Sequence, residues 1–137
     1  MFDLDRFIKA QEYEYETALN EMKQGEKVSH WIWYIFPQIK GLGFSPNSYY
    51  YGLDGKEEAK AYYENEYLGP RLKEICQVVL DIDKKSAEQI FGSIDAMKFK
   101  SSMTIFYLAT GDNLFKKLLD KYYNSELDQA TIKLLEK

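Results

Sequence analysis

The chain has 137 residues, about the size of one domain, with 45% hydrophobic and 16% aromatic content and a net charge of -4. That apolar content excludes a disordered chain, and the acidic balance excludes the broad basic surface that long nucleic acids require. A single cysteine, Cys76, rules out an intramolecular disulfide and fits a reducing, cytoplasmic setting; no apolar run is long enough to span a membrane, and no signal peptide is evident.

Leu4, Phe7, Ile8, Tyr15, Ala18, Leu19 and Met22 recur at spacings of three and four. They predict an amphipathic helix capped by Asp3 and stopped by Gly25. Gln11 falls in the middle of the apolar stripe. An unsatisfied buried polar group costs about 1–3 kcal/mol, so this amide bonds backbone at a helix crossing or reads the polar edge of a ligand.

The segment from Ser29 to Phe36 holds the only histidine and both tryptophans. It predicts a short buried helix capped by Ser29, or a buried strand, and Pro37 ends either one. His30 is expected to be held by this apolar run for work at a polar site, with a packing or capping histidine as the alternative. Trp31 and Trp33 belong to the core or form a stacking wall for a ring. Gln38 follows, and Lys40 to Gly52 reads as a loop built on Gly41, Gly43, Pro46 and Asn47.

From Lys56 a helical pattern runs through Ala59 and Tyr62 until Gly69 interrupts it, and Pro70 suits the first turn of the next helix. Arg71 opens that helix. There a guanidinium and free backbone N–H groups can hold an anion, although a surface pair with Glu66 or Glu74 is the plainer use. Ser86 and Gln89 form a capping-box pattern, closed by Gly92.

Asp95 is expected to cap the most apolar helix, Ala96 to Thr110, with Gly111 as its stop. A helix apolar nearly all round belongs at the centre of a fold. On it Lys98 and Ser101 are three apart and share a face, with Ser102 beside them; Lys98 binds an anion or snorkels to solvent. Leu114, Phe115, Leu118, Leu119 and Tyr122 line a further helix, and Asp128 caps a last one. No strand alternation is found. The prediction is one all-α domain over residues 1–137, with six to eight helices around the central helix near 96–110.

Phosphate-loop, dinucleotide and zinc-helix motifs are absent, so no cofactor is expected, and one His with one Cys leaves no zinc set. Taken in order, several stretches resemble the bacterial domain-of-unknown-function family 1810. They are Leu4 to Gln11, His30-Trp-Ile-Trp33 running to Phe36-Pro-Gln38, Gly41 to Ser45, and Leu68-Gly-Pro-Arg71-Leu72. Ile90-Phe-Gly92, Asp95 with Lys98 to Phe106, and Asp128 with Thr131 complete the pattern. The resemblance covers almost the whole chain; it implies an all-α fold and supplies no activity. A fainter similarity is to the NADAR superfamily, through Glu58-Ala59 followed by an arginine, Met97-Lys-Phe99 and a late Asp. Members of that superfamily act on N-glycosidic bonds of ADP-ribose-like compounds.

Two readings result. In the first, a polar pocket binds or hydrolyses a phosphorylated, nucleotide-like molecule. Arg71 and Lys98 hold anionic groups, Gln11 and Gln38 read polar edges, Trp31 or Trp33 stacks, and Ser101 and Ser102 add hydroxyls. Glu58 or Asp95 stabilises charge on the sugar or activates water, and His30 protonates the leaving base. In the second, the chain is a non-catalytic module that binds a protein or forms a homo-oligomer through Tyr49, Tyr50 and Tyr51. Convergence separates them: Gln11, His30, Arg71 and Lys98 on one pocket favour the first, and scattered residues bonded to backbone favour the second.

Overall fold

α1 (Asp5–Gln24) buries Phe7, Gln11, Tyr15, Ala18, Leu19 and Met22 along one face, the stripe predicted by the spacing. The structure, a computed structural model, describes residues 2–137, which carry nine helices. α1 starts with Leu4, not Asp3, at the cap position and has no side-chain cap; the Asp3 backbone carbonyl accepts from the Arg6 guanidinium. It ends at Gly25, whose φ of 80° lets the Gly25 and Glu26 N–H groups return to the carbonyls of Met22 and Glu21.

α2 (Ile32–Ile35) is a single helical turn, which resolves the helix-or-strand alternative, but Trp31 rather than Ser29 stands at its start. Ser29 is engaged elsewhere. The Glu21 carboxylate accepts from the Val28 and Ser29 N–H groups, the Ser29 hydroxyl and Trp31 Nε1, at 2.6 to 2.9 Å. Burial works against this charge; the hydrogen bonds outweigh it and hold the Glu21 pKa down at about 2.

The stretch expected to be loop contains α3 (Pro46–Tyr50), the helix beyond the expected six to eight. Five residues are too few for apolar periodicity to show. The local signal is Ser45, whose hydroxyl accepts from the Ser48 N–H, followed by Pro46 in the first turn. A parallel bridge of Ile39 with Leu53 closes this excursion.

α4 (Lys56–Glu64) ends before Gly69, which lies inside the first turn of α5 (Leu68–Asp81). The missing side chain there serves close packing, since a Cβ would stand 2.1 Å from the Tyr63 carbonyl oxygen. α6 (Ala87–Phe91) carries the predicted capping box.

α7 (Ser93–Thr110) is the central helix, and Ser101 to Phe106 are all buried, so its middle is covered on every side. It begins earlier than the sequence suggests, with Gly92 at the cap position; Asp95 lies in the first turn and does not cap. α7 packs against α2, α4, α6, α8 (Asn113–Tyr123) and α9 (Gln129–Leu135), while α1 lies against α5. Phe36 meets Phe99 edge-on at 4.8 Å and Phe91 at 6.1 Å, which fixes the end of α2 against α6 and α7. Among the described residues no helix is long and apolar enough to cross a membrane.

Candidate functional site

Where the end of α2, the Gly41–Gly43 turn, α7 and the start of α9 meet, they leave a groove of about 290 Å³. Trp33, Gln38, Lys98, Ser101 and Asp128 line it, with Leu42, Ile94 and Met97 as apolar wall. The helical spacing that placed Lys98 and Ser101 on one face holds, and that face looks into the groove.

The Lys98 ammonium stands 3.9 Å from the centre of the Trp33 ring. Its carboxylate neighbour, Asp95 Oδ1, is 3.4 Å away, and among the described residues Lys98 donates no side-chain hydrogen bond. The other Asp95 oxygen takes the buried Lys27 ammonium at 2.7 Å, and Lys27 also lies 5.0 Å from the Trp31 ring. One carboxylate thus serves two cations, and Lys98 has the weaker share.

Towards α9, Asp128 Oδ2 accepts from the Thr131 N–H at 3.1 Å, the Thr131 hydroxyl at 2.6 Å and the Ser101 hydroxyl at 3.0 Å. Asp128 Oδ1 accepts none among the described residues. Gln38 is only 8% exposed, and its side-chain amide has no protein partner among the described residues. Three polar groups with unused hydrogen-bonding capacity therefore share one groove.

Other candidates lie elsewhere. His30 is not held by the core: its side chain is exposed, because the chain turns inward only at Trp31. Trp31 is fully buried. Gln11 is buried between α1, α2 and α4, where Nε2 donates to the Tyr34 carbonyl and the Tyr62 hydroxyl, both at 2.8 Å. Among the described residues its Oε1 finds no donor, and the hydroxyl of the fully buried Ser102 finds no partner.

Glu58 is buried and committed through both oxygens, Oε2 to Arg6 at 2.9 Å and Oε1 to the Asp54 N–H at 2.8 Å. Arg71 lies between the rings of Tyr15 and Tyr67, at 4.5 and 4.1 Å. The backbone groups expected to assist it are already used: Asn65 Oδ1 accepts from the N–H groups of Tyr67 and Leu68, and the Asn65 carbonyl from Gly69. Of Gln11, His30, Arg71 and Lys98, only Lys98 lines the groove, so the convergence of these four expected of a ligand pocket is not met; a different set, Lys98 with Trp33, Gln38, Ser101 and Asp128, comes together there. Tyr49 and Tyr50 are exposed, whereas Tyr51 packs on Phe7 and Tyr34.

Sequence reasoning missed Lys27 and took Asp128 for a helix cap alone. The cap was legible, and it uses one oxygen; that the other is free is a fact of packing. Nothing local marks Lys27, whose partner Asp95 is distant along the chain.

Fold and groove together define a small all-helical protein with a solvent-open groove, apolar along its wall and carrying opposite charges. The chain belongs to the family described as protein of unknown function (DUF1810), whose model matches residues 1–135. Its structure is similar to the crystal structure of the conserved hypothetical protein Rv1873 from Mycobacterium tuberculosis. The two are 44% identical with a TM-score of 0.97, over 99% of this chain and 98% of that one. No curated protein matches. These comparisons do not show the likeness to the NADAR superfamily.

Proposed function

We propose that this protein binds a small molecule in the groove lined by Trp33 and Lys98, one with a flat or apolar body and an anionic group. The observation that supports it is the meeting of Trp33, Gln38, Lys98 and Ser101 in one groove, where the Lys98 ammonium has no hydrogen-bond acceptor among the described residues. In the phosphorylated, nucleotide-like form of this reading, a ring lies along Trp33, the phosphate meets Lys98 and Gln38 reads a polar edge. At about 290 Å³ the groove is at the small end of ligand sites, which favours a mononucleotide or sugar phosphate over a dinucleotide.

Cleavage of an N-glycosidic bond asks for an available carboxylate and a proton donor. Glu58 and Asp95 have both oxygens engaged by partners; Asp128 Oδ1 is a carboxylate oxygen with no partner among the described residues, but His30, the expected proton donor, is not among the groove's lining residues. Binding rather than turnover is therefore the function put forward, in a cytoplasmic setting where Cys76 stays a buried free thiol.

Thermal unfolding with adenosine 5′-monophosphate, ribose 5-phosphate and inorganic phosphate tests the reading, because a ligand of the folded state raises Tm by mass action. A rise in the wild type that disappears in Lys98→Ala and Trp33→Ala supports it. Equal rises in all three proteins would count against it, and no rise in the wild type would count against its phosphorylated form.

A further inference from the structure

We infer that the groove is built for a zwitterion, with its anion at Lys98, its ammonium at Asp128 and an apolar body beside them on the Ile94–Met97 wall: the chemistry of a free apolar α-amino acid. This rests on the groove being a ligand site, and it names the class of ligand.

Two opposite charges stand in one groove and do not pair with each other. Among the described residues Lys98 is in ion contact only with Asp95, at 3.4 Å, and Asp128 Oδ1 accepts no hydrogen bond while Oδ2 does the capping of α9. The cap therefore explains one oxygen and leaves the other, which a ligand N–H group can use. Gln38, 92% buried by its 8% exposure and unpartnered, offers a donor and an acceptor to the same ligand.

The two charges are set from one side of α7. Ser101, whose hydroxyl donates to Asp128 Oδ2, is three residues from Lys98, so one face of that helix positions both.

The charge balance agrees. Lys27 and Lys98 are offset by Asp95 and Asp128, in a chain of net charge -4. A polyanion gains no long-range attraction from such a site, whereas a zwitterion leaves the balance unchanged. The wall suits an apolar side chain: Ile94 and Met97 are each 70% exposed, surface that a bound side chain would cover.

Isothermal titration calorimetry of the full chain with L-phenylalanine, 2-phenylethylamine and 3-phenylpropanoate separates the charges, since the three share a ring and differ in the groups it carries. L-phenylalanine is expected to bind at least tenfold more tightly than either analogue. Asp128→Asn retains an oxygen for the cap and turns an amide N–H₂ towards the groove, so it should weaken L-phenylalanine at least tenfold and leave 3-phenylpropanoate unaffected. Lys98→Met should weaken both.

If 3-phenylpropanoate binds the wild type as tightly as L-phenylalanine, or Asp128→Asn leaves L-phenylalanine unaffected, the zwitterion inference falls and the anion-binding groove stands. No binding by any of the three compounds overturns the inference as well. Lys98-dependent binding of a phosphate compound would then show that the groove reading survives it. Circular dichroism checks that Asp128→Asn is folded; should it not be, the analogue series on the wild type decides alone.

Discussion

Lys98 reaches over the indole of Trp33, its ammonium 3.9 Å from the ring centre, while the carboxylate it shares with Lys27 is 3.4 Å away. A cation over an aromatic face at a partly exposed site contributes about 0.5–1 kcal/mol. Lys98→Met keeps the stem packed on Trp33 and leaves Asp95 paired with Lys27 at 2.7 Å, so no buried charge is orphaned. Urea unfolding should show a loss below about 1 kcal/mol, alongside complete loss of any anion-dependent rise in Tm. A loss beyond about 2 kcal/mol would make Lys98 a strut of the fold and remove it from the site.

The Arg6–Glu58 pair is of the other kind. Both side chains are nearly buried, and Arg6 also donates to the carbonyls of Tyr50 and Gly52 at 2.7 and 3.0 Å, tying the start of α1 to α3 and α4. Glu58→Gln leaves the guanidinium charge without its carboxylate, which should cost about 3 kcal/mol. The double variant Arg6→Met with Glu58→Gln should lose less than the sum of the two single losses. Additive losses would show that the pair carries no coupling.

Gln11 gives an opposite expectation. Its Oε1 is buried with no donor among the described residues, and the Tyr62 hydroxyl can donate to the Tyr34 carbonyl at 3.2 Å without it. Gln11→Leu therefore removes an unsatisfied acceptor, leaves Tyr34 served and puts apolar bulk into the apolar stripe of α1. Stability should change by no more than about 1 kcal/mol in either direction. A loss above about 2 kcal/mol would mean that Oε1 has a buried water as its partner.

Periodicity reached the long helices, because burial on one face of α1 and on every face of the middle of α7 leaves a pattern within a few turns of chain. Caps reached further where a side chain acts on its own neighbourhood, as at Ser86 and Asp128. Illegible were the features set by distant partners. Ser29 forgoes capping α2 because Glu21 binds it, and Gly69 is small because the Tyr63 carbonyl passes close by. The groove was half legible: Lys98 and Ser101 share a face by spacing alone, but Trp33, Gln38 and Asp128 come from other elements. His30 shows the limit of composition, since greasy neighbours along the chain did not make a buried neighbourhood in space.

Glu21 sets the acid limit of the segment leading into α2. Its carboxylate pKa lies at about 2 in the folded protein against an ordinary 4.5, because hydrogen bonds from Ser29, Val28 and Trp31 overcome the cost of burial. A lowered folded-state pKa stabilises the fold above the unfolded value and ceases to do so as pH falls through the folded one. The contribution should thus be complete above about pH 5 and vanish between 4.5 and about 2. Solvent screens a carboxylate near the surface, so Glu21→Gln should cost about 1–2 kcal/mol at pH 7. The gap between the two proteins should close over that acid window. Asp112, whose pKa is also lowered against the cost of burial, by hydrogen bonds from Tyr63 and the Leu114 N–H and by nearby lysines, acts equally in both proteins and cancels in the difference. Urea titrations of wild type and Glu21→Gln at steps from pH 7 to pH 2 make the check. Parallel curves at every pH would show that Glu21 contributes no charge-dependent stability, and that the Val28–Trp31 turn is held by packing of Trp31 alone.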